Sequence, residues 1–170
     1  MNKQRFGGKV AIVTGSGRGI GKATLMRFAE DGAYGLVAVD LEEKRLTQTV
    51  TDLSSLGTDV ISFNCDVTNY SDVREMIKST VDAFGRIDIL VNNAAVSDST
   101  PFETLSQEHW KTVIDINLNG AYHCTKAALP ALKQSSTAAI VNVASIQGLR
   151  GQPDALAYAT AKGGIVNMTR

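Results

Sequence analysis

The chain has 170 residues, 44% of them hydrophobic and 20% charged, and its 17 basic and 17 acidic residues cancel formally. That length suits one domain with a well-buried core; the charge balance excludes the clustered basic excess of a nucleic-acid binder, and the ample aliphatics exclude a disordered chain. Residues 1–9 are polar, without the apolar stretch of a signal peptide, and no apolar run approaches the roughly 20 residues that span a bilayer, so the expected setting is cytoplasmic, with no membrane partner.

In chain order, short aliphatic runs alternate with longer helical patterns. Residues 10–13 (Val-Ala-Ile-Val) read as a buried strand, and 20–30 as a helix stopped at Gly32. Residues 36–39 form a second strand, followed by a helix over 42–56 that Gly57 ends. A third strand at 60–63 leads to a helix over 72–84 closed by Gly85. The fourth strand is 87–91. Ser106 caps a long helix to about Lys133, with a bend expected near Gly120 and an end after Pro130. A fifth strand at 139–143 precedes a last helix from about Asp154 to the end of the chain. Strand–helix alternation with nearly all-apolar strands predicts a doubly wound parallel sheet covered on both faces, an α/β fold of Rossmann type. No linker-like shift in composition or internal repeat divides residues 1–170, so one domain is expected.

The first strand runs into Thr14-Gly15-Ser16-Gly17-Arg18-Gly19-Ile20-Gly21. Glycines at these spacings permit a tight turn and close approach to a pyrophosphate. The helix behind them offers amides and the positive end of its dipole to phosphates. The turn lies between a strand and a helix, the context a dinucleotide site requires. Asp40 ends the second strand, nineteen positions after Gly21. A carboxylate there accepts hydrogen bonds from ribose hydroxyls and repels a 2′-phosphate, so NAD is favoured over NADP. Arg18 is the counterweight, because a basic side chain in the turn suits a 2′-phosphate.

Tyr158 and Lys162 are four apart and share one helix face. A tyrosine alone is a weak acid at neutral pH. A neighbouring ammonium stabilises the phenolate, which lets the phenol pass a proton to or from an alcohol oxygen. Most pairs with this spacing are solvated helix faces; the glycine turn gives this one its weight. Cys65 and Cys124 have no metal-ligand spacing and read as reduced core thiols. His123 and Cys124 are adjacent, diverge on a helix and make a poor metal pair, so no metal is expected. His109 and Trp110 read as packing residues.

Together these motifs resemble the short-chain dehydrogenase/reductase family over the whole length of the chain. Thr14, Gly15, Gly19 and Gly21 match its glycine turn. Asp66 and Val67 follow the third strand where family members contact the adenine. Asn92-Asn93-Ala94-Ala95 matches its Asn-Asn-Ala-Gly, with Ala95 in place of the usual glycine. Asn117, Ser145, Tyr158 and Lys162 match its catalytic set. The resemblance implies an oxidoreductase moving a hydride between NAD and a secondary alcohol or ketone. It implies that Tyr158 is the general acid/base and that Lys162 holds the nicotinamide ribose. Ser145 would polarise the substrate oxygen, and Asn117 would order a water linking Lys162 to solvent. The expected cofactor contacts are Gly15, Ser16, Gly17, Arg18, Gly19, Ile20, Gly21, Asp40, Asp66, Val67, Asn93, Ala94, Ala95, Tyr158 and Lys162. Family members pair as oligomers through the long helix around 106–133 and the last helix, and Gly163-Gly164 suggests close packing there. They also continue past the last helix into further strands, so the fold is expected to be incomplete at its C-terminal end. The alternative function is a non-catalytic fragment that keeps nucleotide-binding or assembly surfaces.

Overall fold

A computed structural model describes residues 4–170; of the polar N-terminal stretch, residues 1–3 lie outside it. Five strands form one parallel sheet in the order β3-β2-β1-β4-β5. They are β1 Val10–Thr14, β2 Gly35–Asp40, β3 Asp59–Asn64, β4 Ile89–Asn92 and β5 Ala139–Asn142. The strand order reverses direction at β1, which pairs with β2 on one side and β4 on the other. Ligands of open α/β sheets bind at the carboxyl ends of the strands beside such a switch point.

The helices are α1 Gly19–Glu30, α2 Glu43–Ser54, α3 Tyr70–Phe84, α4 Gln107–Ile114, α5 Gly120–Leu132 and α6 Leu156–Met168. Alternation of side chains along each strand divides the core. Ala11, Val13, Leu36, Ala38 and Val91 face α1 and α2 with Leu25, Leu46 and Leu53. Ile12, Val37, Val39 and Leu90 face α3 and α5 with Val73, Met76, Cys124 and Leu132. Burying such aliphatic side chains stabilises the sheet by roughly 1.5–3 kcal/mol each before entropy is counted. Both cysteines are buried and free, and burial raises the Cys65 thiol to about 11 and the Cys124 thiol to about 12. They are core residues, as expected from their neighbours. No helix among the described residues is long and apolar enough to cross a membrane.

Three helix ends follow their local chemistry. Asn69 caps α3 by accepting from the Ser71 amide, and Gly85 closes it in the left-handed region (φ 73°). Ser106 caps α4 by accepting from the His109 amide at 3.0 Å. One expectation is refined and one corrected. The irregularity expected near Gly120 is a widened π turn, Asp115–Asn119, between α4 and α5, while Gly120 itself is regular (φ −58°). Gly120 is small because a Cβ there would come within 2.6 Å of Val67 Cγ2. The last helix begins at Leu156, later than expected, because Asp154 takes a left-handed conformation (φ 58°). Its Gly164 packs inside the chain, where a Cβ would stand 2.8 Å from Leu118 Cδ2.

At the opposite end of the sheet from the strand carboxyl ends, Asp88 is wholly buried. It accepts from the Val10 amide at 3.0 Å, Ser135 Oγ at 2.6 Å and Arg86 Nε at 2.8 Å. Burial alone pushes this carboxyl up, but the hydrogen bonds from Arg86 and Ser135 outweigh it and hold the group below its ordinary value. Its stabilisation is therefore complete above the unfolded carboxylate value and is lost as pH falls through the depressed folded one. Asp88→Ala should cost about 2 kcal/mol at neutral pH by orphaning buried donors, and the gap to wild type should close in strong acid. Denaturant unfolding at pH 7 and pH 3 checks this; an equal gap at both would refute the ionised role.

Candidate active site

The chain leaves β1 at Thr14 and turns through residues 15–18 into α1. Gly15 is left-handed (φ 63°), and a Cβ on it would lie 2.8 Å from Ala94 Cα. Gly17 presses on α2, where a Cβ would meet Arg45 Cβ at 2.7 Å. Gly19 is also left-handed (φ 55°) but faces open space. The first turn of α1 has no side-chain cap and no acidic residue. Its amides and dipole are thus available to an anion.

Side chains behind the turn hold it in shape. Ser16 is fully buried, and its hydroxyl accepts from the Val39 amide at 2.8 Å. Thr49 Oγ1 of α2 donates to the carbonyls of Ser16 and Gly17 at 3.3 and 3.4 Å. Thr14 Oγ1 accepts from the amides of Asn93 and Ala94, both at 3.0 Å. Asn93 Nδ2 donates to the carbonyls of Thr14 and Gly15 at 2.8 and 3.0 Å. The Ser16 side chain is thus spent on the backbone of β2, and that of Asn93 on the backbone of the turn. Sequence alone does not distinguish such a brace from a ligand contact, because the partner is 79 positions away.

A cleft of about 540 Å³ runs along the strand carboxyl ends. Of the residues expected at the cofactor, it is lined by Gly15, Arg18, Gly19, Ile20, Asp40, Asp66, Val67, Asn93, Ala94 and Ala95. Ser16, Gly17 and Gly21 stand behind this lining, and Tyr158 and Lys162 are not part of it. Asp40 accepts from the amides of Gly17 at 2.9 Å and Glu42 at 3.1 Å, so each oxygen is anchored with lone-pair capacity to spare. Asp66 Oδ1 accepts from the amide and hydroxyl of Thr68, both at 2.8 Å, which leaves Oδ2 for another partner.

The second group of residues lies where β5 and α6 meet the π turn. Lys162 is 3% exposed and donates to the Val143 carbonyl at 2.7 Å. Its Nζ stands 5.6 Å from the centre of the Tyr158 ring, within cation–π range. Burial lowers the Lys162 pKa. Gly148 presses on the Lys162 carbonyl, where a Cβ would approach within 2.6 Å, and so seats the turn after Ser145 on α6. Ser145 Oγ accepts from the Gln147 amide at 3.2 Å. Asn117 is buried in the π turn and donates to the carbonyls of Val113 at 2.9 Å and Val96 at 3.0 Å. Its Oδ1 has no partner among the described residues. Val96 lines the cleft, so Asn117 ties the π turn to the cleft wall. The Val143 amide donates to the Asn92 carbonyl, which sets the Lys162 anchor beside the segment that braces the glycine turn.

One pair was not foreseen. The Asp98 side chain is completely buried and lies 2.9 Å from His109 Nε2. Burial pushes the Asp98 carboxyl up, but hydrogen bonds from Thr100 and His109 prevail and hold it below its ordinary value. The anionic carboxylate requires a proton on His109 Nε2. The pair clamps the loop after β4 to the start of α4. The sequence offers only a histidine in the first turn of a helix as a signal. Among the described residues no cluster of three metal-ligating side chains occurs.

The sequence pattern of the short chain dehydrogenases matches residues 9–170. The chain belongs to the short-chain dehydrogenase family. Among its relatives is a 3-oxoacyl-acyl-carrier-protein reductase from Thermotoga maritima, 35% identical over 98% of this chain and 67% of the relative. A subunit of hydroxy(phenyl)methylsuccinyl-CoA dehydrogenase from Thauera aromatica is 41% identical over 95% of this chain and 64% of its own length. The chain thus spans about two thirds of these relatives. The crystal structure of an NAD-bound xylitol dehydrogenase superposes with a TM-score of 0.93 at 35% identity, covering 98% of this chain and 64% of that one. Carveol dehydrogenase from Mycobacterium avium in complex with NAD gives 0.94 at 29% identity, with 98% and 65% covered. The short-chain dehydrogenases are oxidoreductases, and the parallel sheet here is theirs.

Proposed function

We propose that the protein serves in an NAD-dependent oxidoreductase acting on a secondary alcohol or ketone, with Tyr158 as the proton-transfer group. The observation that carries this reading is the buried Lys162, held by the Val143 carbonyl with its ammonium toward the Tyr158 ring. A buried ammonium with a single protein acceptor keeps two donors for other oxygens. The fit of the cleft to a dinucleotide rests on the uncapped α1 terminus and the open space before Gly19 at one point, and on Asp40 at another. When bound, NAD supplies the hydride acceptor or donor.

In this reading Gly15, Gly19 and the first amides of α1 hold the pyrophosphate, and Asp40 accepts from the adenosine ribose. Asp66 and Val67 border the adenine, while Ala94 and Ala95 flank the nicotinamide ribose with Lys162. Ser145 donates to the substrate oxygen. Tyr158 gives a proton to that oxygen in reduction and takes it back in oxidation, and Lys162 stabilises the phenolate. Asn117 orders a water against its free Oδ1 for proton exchange. Tyr122 and Leu129, exposed on α5, support self-association through that helix.

The direct test is NAD titration, followed by oxidation of a polyol or a cyclic alcohol with NAD and reduction of a 3-oxoacyl thioester with NADH, each read at the nicotinamide absorbance. No signal in either direction with any of these would overturn the reading. Cofactor choice is tested separately by Asp40→Asn, which keeps an acceptor for the glycine turn and removes the charge. The NADP-to-NAD affinity ratio should rise about tenfold, as expected for removing one nearby like charge from a phosphate.

A further inference from the structure

Beyond Asp40, the adenosine end of the cleft holds a second pair of charges. Arg45, Glu42 and Arg18 all line it. Arg45 sits one helical turn before Thr49, on the α2 face that grips the glycine turn, and its Cβ is the nearest atom to any side chain placed at Gly17. Its guanidinium does not pair with Asp40, whose oxygens are engaged by the Gly17 and Glu42 amides. It turns instead to Glu42, with 2.8 Å between Nη2 and Oε2. Glu42 is the N-cap residue of α2, yet its side chain makes no capping hydrogen bond; its carboxylate is directed to Arg45.

A guanidinium is the side chain best suited to a phosphate, which it meets with two parallel donors. Arg45 thus has the chemistry of a phosphate ligand and lines the cleft, but its guanidinium is engaged by a carboxylate of its own chain. We propose that the Glu42–Arg45 pair is a selectivity latch: closed, it withholds Arg45 from a 2′-phosphate and favours NAD; opened, it turns the same cleft toward NADP. The inference rests on the dinucleotide reading above. It adds to Asp40 a determinant that acts by sequestering a cation, where Asp40 acts by repelling an anion. Because both partners are partly exposed, the latch is worth little to stability, and opening it should leave the fold intact.

The test is equilibrium binding of NAD and NADP to the protein, followed by calorimetry or fluorescence, which needs no substrate. Glu42→Gln keeps the shape and removes the charge. It should tighten NADP about tenfold and change NAD less than about twofold, the scale of one exposed charge acting at close range. Arg45→Met in the Glu42→Gln background should abolish the gain. An unchanged NADP-to-NAD ratio in Glu42→Gln, or a gain that survives Arg45→Met, would overturn the latch while leaving the dinucleotide site standing. Failure of the wild-type protein to bind either nucleotide would overturn both.

Discussion

Replacing Tyr158 with phenylalanine is expected to lower turnover about a thousandfold while NAD affinity changes less than about twofold, the signature of a lost proton-transfer group. The ring survives in this variant, so its contact with the Lys162 ammonium is preserved. Lys162 also keeps its anchor on the Val143 carbonyl, which does not involve the phenol. Only the hydroxyl is removed. Parallel measurement of kcat and of NAD dissociation separates chemistry from binding. A variant that retains most of its turnover would sink the role given to Tyr158, whatever its affinity.

Gly15→Ala should cost about 3 kcal/mol in stability, since left-handed strain adds to a steric clash. The new methyl would be aimed at the Ala94 backbone, which cannot move without disturbing the Thr14–Asn93 brace. NAD affinity should fall with it, at least about tenfold, because the turn would open away from the phosphates. Gly57 provides the control. It is left-handed too (φ 78°), but a Cβ there meets nothing within 4 Å. Gly57→Ala should therefore show the backbone cost alone, about 1 kcal/mol, with no effect on NAD. Urea midpoints and NAD titrations on both variants decide the matter; equal losses would mean that the Ala94 contact is irrelevant.

The sheet was legible because buried parallel strands leave an unmistakable pattern: 10–13 and 36–39 are uninterrupted aliphatic runs, and both lie in strands that are almost wholly buried. Helix ends were legible where the cap is local, as at Ser106 and Gly85. The π turn was not. Within it Asn117 reaches the Val96 carbonyl, 21 positions back, and no periodicity marks such a contact. Gly120 drew attention as a bend, yet its smallness serves Val67 across the fold. The same division holds at the site. The glycine turn, Asp40 and the Tyr158–Lys162 spacing are local patterns and could be read directly. The spending of Asn93 on the turn, the Asp98–His109 clamp and the Glu42–Arg45 pair depend on which of several available partners each group takes in space. Composition and spacing do not settle that choice.

The position of β1 at the middle of the sheet has a consequence for how binding and folding report on one another. The glycine turn hangs from the end of β1, but its shape is imposed by β2 through Ser16 and by the segment after β4 through Asn93. Those parts are brought together only when three strands from the first ninety or so residues have docked in register. A chain with β4 detached would retain every residue of the glycine motif but lose the Asn93 side of its brace. Amide hydrogen exchange should therefore find the β1 amides among the slowest in the molecule, and NAD should slow them further by closing the same cooperative unit. In practical terms, the proposed nucleotide binding would double as an assay of whether the centre of the sheet is assembled.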